Sequence, residues 1–107
     1  MARTTITIPF TQEQTTADQT ARRILAIDGY HEIDYNGEKV WKKGTGLMTA
    51  MHYIKLEFQD NQLAISGWIQ VGIGSVGGKE RDLSGFTGVI PKQSVRSTMN
   101  KILAAIS

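Results

Sequence analysis

The chain has 107 residues, with 12 Lys or Arg against 10 Asp or Glu and no cysteine. That length predicts a single domain over 1–107 with room for one real core. The absent thiols exclude disulfides, thiolate metal sites and cysteine nucleophiles, and a net charge of +2 is too small a basic excess to point to nucleic acid. No stretch approaches the ~20 apolar residues of a membrane helix. The N-terminal run MARTTITIPF lacks the apolar core of a signal peptide, so the expected compartment is the cytoplasm.

In chain order, TTITIP alternates, with Ile6 and Ile8 on one side, and predicts a strand ended by Pro9. TQEQ follows as a capping box, with Thr11 as N-cap and Gln14 at the third helical position. Ala17, Ala21, Ile24 and Leu25 then recur at helical spacing. Gly29 predicts a left-handed helix end, with Tyr30 packing back on Leu25.

HEIDYNGEKVWKK predicts a hairpin turning at Asn36-Gly37, because a type I′ turn needs two positive φ angles. Its register pairs Ile33 with Val40, Asp34 with Lys39 and Glu32 with Trp41, and Ile33 and Val40 are expected to face the helices. KGTGLMT is a loop or bulge. MHYIKLEFQDNQLAISGWIQV is a second hairpin about Asp60-Asn61. It pairs Phe58 with Leu63, Leu56 with Ile65 and Ile54 with Gly67. On its other side Tyr53 meets Trp68, and Lys55 meets Ser66. VIPKQSVRSTMNKILAAI is a final helix with Pro91 in its first turn. Its buried stripe is Val95, Met99, Ile102, Leu103 and Ile106, with Lys92, Arg96 and Lys101 outside.

These elements predict an α+β domain. One antiparallel five-stranded sheet, in the order 1-5-4-3-2, carries two helices on one face. Leu56, Ile65, Ile24 and Met99 are expected to be nearly fully buried. The order β-α-β4-α resembles the TATA-box-binding-protein-like fold over the whole chain, in topology only. The paired phenylalanines with which that family kinks DNA have no counterparts here, so the resemblance implies an architecture and no DNA function. The stretch GFTGVIPK also resembles uncharacterised bacterial domains and implies no activity.

The most motif-like run is GIGSVGGKE, with Gly72, Gly74 and Gly77 at G-x-G-x-x-G spacing. A dinucleotide loop must open directly into a helix. Here KERDLSGFTG reaches Gly85 and Gly88 before a full amphipathic helix can form. A P-loop would need glycine where Ile73 sits and Ser or Thr where Glu80 sits. The run therefore reads as part of a long glycine-rich loop between Gly72 and Pro91, with KERD a mixed-charge segment of it. No cofactor is expected.

Catalytic signals are thin. His31 starts an edge strand, and His52 falls on the inward set with Ile54, Leu56 and Phe58. Neither has a partner at metal-ligand or triad spacing. What remains is an aromatic set on the face opposite the helices: Trp41, Met51, Tyr53 and Trp68, with the Lys55 stem beside them. An uncovered apolar patch marks an interaction surface. The expected function is a small non-enzymatic binding or assembly domain, using this face for a protein partner or for self-association. One alternative is single-stranded nucleic-acid binding, with the aromatics stacking on bases and Lys42, Lys43 and Lys55 on phosphates. Another is a small-ligand carrier or enzyme with a pocket near His52.

Overall fold

The computed structural model describes residues 3–44, 51–71, 79–81, 83 and 89–106. In chain order the elements are β1 (Thr4–Pro9), α1 (Gln14–Ile27), β2 (His31–Tyr35), β3 (Glu38–Lys43), β4 (Met51–Gln59), β5 (Gln62–Val71), β6 (Lys79–Arg81) and α2 (Val89–Ile106). This is the expected α+β class. The antiparallel sheet runs β1-β5-β4-β3-β2, as predicted, and β6 pairs with β5 beyond the end of β1. β1 takes Gln62 to Gly67 of β5, and β6 takes Ile69 to Val71. A short strand over Lys79–Arg81 thus stands in the segment that was expected to be loop. The glycine run Gly72, Gly74, Gly77 lies outside the described residues.

Both turns adopt the predicted geometry. Asn36 and Gly37 have φ of 53° and 88°, and Asp60 and Asn61 have 52° and 61°. Asp34 Oδ1 accepts a 2.8 Å hydrogen bond from the Gly37 amide and braces the first turn. The hairpin registers follow: Ile33 with Val40, Phe58 with Leu63, Leu56 with Ile65, Tyr53 with Trp68.

Helix α1 ends in a Schellman motif. The Tyr30 amide donates to Leu25 O at 2.9 Å and the Gly29 amide to Ala26 O at 3.1 Å, with Gly29 at φ 93°. Its start differs from the predicted capping box. The N-cap is Glu13, with no side-chain cap, because the preceding residues serve tertiary contacts. The Phe10 amide donates to Asn61 O, and Gln12 Nε2 donates to Ala105 O and Ile106 O at the end of α2.

Both helices lie on one sheet face. Ala17, Ala21 and Leu25 of α1 join Val95, Met99, Ile102 and Ile106 of α2 over Ile54, Leu63, Ile65 and Ile69. Thr98 fastens the helices, donating to Asp28 Oδ2 at 2.6 Å, while Lys101 Nζ donates to both Asp28 oxygens at 3.1 Å. Ile65 and Met99 are fully buried. Leu56 and Ile24 are only half-buried at the margin of this layer, so the expectation of near-complete burial fails for both. Lys92, expected outside, is buried.

Helix α2 packs closely on β5 at Gly67. A Cβ there would fall inside van der Waals contact of Met99 Sδ and 2.9 Å from Val95 Cγ1. Gly67→Ala should therefore cost about 1–3 kcal/mol through overpacking. Urea melts check this, and an unchanged midpoint would mean that α2 is not seated on Gly67.

Candidate functional site

Strand alternation divides β4 and β5 between two faces. Ile54, Leu63, Ile65 and Ile69 go under the helices, whereas Met51, Tyr53 and Trp68 go to the other side. That much agrees with the sequence reading. The second cluster also contains Val40, with Ile33 and Tyr35 packed against it. Ile33 and Val40 were expected on the helix side, and the structure reverses them.

Trp41 is reversed with them. It pairs with Ile54 and packs on the helix-side core, where the Arg22 guanidinium of α1 lies 5.5 Å from its ring. Trp41 is therefore absent from the face to which it was assigned. The physical reason is phase. A two-residue turn sets β2 against β3 but leaves their joint phase relative to β4 open, and the phase adopted is the one in which Trp41 pairs with Ile54.

The second face is not open. Trp68 is 0%, Tyr53 3% and Met51 7% exposed within the single chain. The described cover comes from two places. Among the described residues the β2–β3 hairpin pairs with β4 through Trp41, Lys42 and Lys43, and its far end folds over the face. Tyr35 thereby reaches the Tyr53 ring at 4.9 Å and the Trp68 ring at 5.9 Å, while Tyr53 and Trp68 stack at 5.4 Å with planes 12° apart. Arg3, just ahead of β1, supplies the rest. Its guanidinium carbon lies 3.8 Å from the Trp68 ring centroid and 6.0 Å from that of Tyr35.

Glu38, at the base of the hairpin turn, holds this cover down. Arg3 Nη1 and Nη2 donate to its two carboxylate oxygens at 3.0 Å each. Lys55 Nζ donates to Oε1 at 2.8 Å. On a flat sheet β1 and β3 would stand about 14 Å apart, with Glu38 a further ~10 Å along its strand from Trp41. Contact across that diagonal requires the hairpin end to leave the sheet plane, in the sense that strand twist favours. The Arg3 hydrogen bonds first, and then those of Lys55, hold the Glu38 carboxyl down to about 2.

The other predicted residues are dispersed. Lys55 belongs to the Glu38 network. Lys42 pairs with Tyr53, whereas the neighbouring Lys43 points the other way, its Nζ 5.8 Å from the Tyr30 ring on the helix side. His52 is half-buried on the helix side, its ring 6.5 Å from that of Tyr30. His52 Nδ1 and Tyr30 Oη are buried without hydrogen-bond partners, as is Trp68 Nε1 on the second face. Desolvation, then the Lys43 charge, lowers the His52 pKa, and desolvation raises that of Tyr30. Two shallow depressions, about Arg96 and Lys101 on α2 and about Glu57 and Asp60 near the β4–β5 turn, do not include His52. Among the described residues no group of three or more His, Asp or Glu could hold a metal ion, and no helix is long and apolar enough to cross a membrane.

Arg3, Tyr35 and Glu38 escaped the sequence reading. Two signals for them existed. Arg3 continues the alternation of Thr5 and Thr7, which puts it on the Trp68 side of β1. Ile33, Tyr35 and Val40 form an apolar hairpin stripe that must be buried somewhere, whichever face it meets.

The fold and the site define an α+β domain with one antiparallel sheet, two helices on one face and an aromatic cluster closed on the other. Compared with known proteins, the chain matches no family model, no curated protein and no solved structure.

Two titrations check this geometry. Glu38 is lowered on folding, so its stabilisation is present above its ordinary value of 4.5 and is lost as pH falls toward 2. Glu38→Gln should cost about 1 kcal/mol at pH 7 and flatten that part of the acid limb in denaturant melts; an unchanged limb would mean the network is not formed. The His52 imidazole should titrate below its ordinary 6.5 by NMR. A midpoint at or above 6.5 would place it in water.

Proposed function

We propose that this chain is a non-enzymatic binding or assembly domain. Its working surface is the second sheet face, presented to a protein partner or a second copy when the β2–β3 hairpin and Arg3 move aside. The observation that carries this reading is the unequal covering of the two clusters. The helix-side core lies beneath two helices, and α2 meets β5 at near-contact distance at Gly67. The described cover of Trp68 and Tyr53 is one hairpin end and the charged side chains of Arg3, Glu38 and Lys55. Partly exposed ion pairs contribute little each. A hairpin joined to its neighbour through three residues belongs at the low-stability end of a fold. A partner that brings its own apolar and charged groups replaces such a cover at small net cost. It gains the large contact area of buried tryptophan and tyrosine, the residue types that dominate interfaces.

We also read the β-α-β4-α order and the strand order β1-β5-β4-β3-β2 as TATA-box-binding-protein-like in topology, with β6 added.

Hydrogen exchange tests the functional reading. Amides of residues 33–40 should open well before those of β5 and α2, and Glu38→Gln should speed them several-fold while leaving α2 unchanged. If residues 33–40 exchange only in step with β5, the face stays closed in the native state and the reading fails.

A further inference from the structure

Resting on that reading, we propose that the second face is a binding site for a guanidinium group, that Arg3 is its displaceable occupant, and that the partner presents an arginine side chain on a peptide segment. The walls are made of the right chemistry. A planar cation lies 3.8 Å from the Trp68 ring centroid, with the Tyr35 ring a second wall at 6.0 Å. The Glu38 carboxylate closes the end with two parallel bonds at 3.0 Å. A stacking surface combined with a two-point carboxylate selects the flat, forked guanidinium over the compact ammonium of lysine.

The walls survive the exchange, because the hairpin that carries Tyr35 and Glu38 loosens to release Arg3 and closes again on the incoming guanidinium. Tyr53 and Trp68 stack on each other, and Tyr53 Oη donates to Gln70 Oε1 at 3.1 Å. Lys55 holds Glu38 independently at 2.8 Å. The occupant is the part that can leave. Arg3 lies outside the β1–β5 ladder, whose described pairs begin with Thr4 and Gly67, so its departure breaks no strand pair. One wall also carries an unmet demand. Trp68 is fully buried and its Nε1 has no hydrogen-bond partner, a loss that a carbonyl from an incoming peptide would repair. A free cation cannot do this, whereas an arginyl peptide supplies both the guanidinium and the acceptor.

The test uses the full chain carrying Trp41→Phe, which leaves Trp68 as the sole tryptophan. With Arg3→Ala added, the protein is titrated with Nα-acetylarginine amide and, separately, Nα-acetyllysine amide at constant ionic strength. The expected result is a saturable change in Trp68 fluorescence with the arginine compound, roughly tenfold weaker with the lysine compound. With Arg3 intact, the required concentration should rise, because the tethered side chain competes at an effective concentration on the order of millimolar. A linear response, or equal responses to both compounds, would overturn the proposal.

Should Arg3→Ala fail to fold, the unaltered protein is read by NMR instead. The Arg3 Nε–H resonance, shifted by the indole ring, should move toward that of free arginine as the arginine compound is added; a resonance that stays put would overturn the proposal. Hairpin amides that open early without arginine selectivity would sink the guanidinium assignment and leave the face as an interaction surface. Amides that never open early would sink both.

Discussion

Strand β5 is the element on which everything else depends, because it serves two hydrophobic clusters with alternate residues. Leu63, Ile65 and Ile69 lie beneath the helices and Trp68 lies on the opposite face. Between them Gly67 leaves room for Met99 and Val95. A slip of one residue would exchange the faces and drive a side chain into α2 where the glycine now sits. The Asp60-Asn61 turn prevents that slip by fixing β4 against β5, and β1 and β6 then read their registers from the same strand. One short turn thereby positions the core, the seat of α2 and the tryptophan together.

The two clusters differ in how their polar groups are settled. On the helix side, an Asp28 carboxylate at the C-terminal end of α1 would ordinarily be disfavoured by the helix dipole. Thr98 and Lys101 of α2 compensate it, the Thr98 hydrogen bond first, and together they hold its pKa down. A few residues away, Tyr30 Oη and His52 Nδ1 remain buried and unpaired. Each such group forfeits about 1–3 kcal/mol of solvation, which the surrounding apolar packing must offset. On the second face the described cover is the hairpin end together with the Arg3, Glu38 and Lys55 charges, and the indole N–H beneath it is unpaired. Near the helix-side orphans Lys43 lies with its Nζ 5.8 Å from the Tyr30 ring, whereas over Trp68 the Arg3 guanidinium lies 3.8 Å from the ring centroid and is bound by both Glu38 oxygens.

Much of the fold was legible because it rests on short-range chemistry. Asn36-Gly37 and Asp60-Asn61 each dictate positive φ at two residues, and each fixes a hairpin register without reference to the rest of the chain. Gly29 and Tyr30 end α1 for an equally local reason. What was illegible depends on distant parts. The phase of β2–β3 relative to β4 decided whether Trp41 or Val40 joined Trp68, and no local signal in the hairpin encodes it. The helix start moved from Thr11 to Glu13 because Phe10 and Gln12 are engaged by Asn61 and the end of α2. Leu56 and Ile24 carry the right pattern, yet they sit where the helical layer runs out, and pattern alone does not locate an edge. Tyr53 and Trp68 were correctly placed opposite the helices. Their burial was missed because an open sheet was assumed, and the curl of a hairpin over its own sheet is a property of the assembled strands.

The same curl decides what can act on the second face. With its carboxyl held at about 2, Glu38 stays ionised through the whole range in which most proteins remain folded, so a proton is a poor key to this cover. Salt is a poor key as well, since contacts of 2.8 to 3.0 Å in a partly buried network are screened far less than exposed charges. The Arg3–Glu38 contact yields most readily to a competitor of its own kind: a second arginine whose guanidinium meets the same carboxylate and covers the same indole, on a peptide whose carbonyl accepts the hydrogen bond that Trp68 lacks. Geometry and electrostatics thus favour exchange of one guanidinium for another over any opening driven by pH or ionic strength.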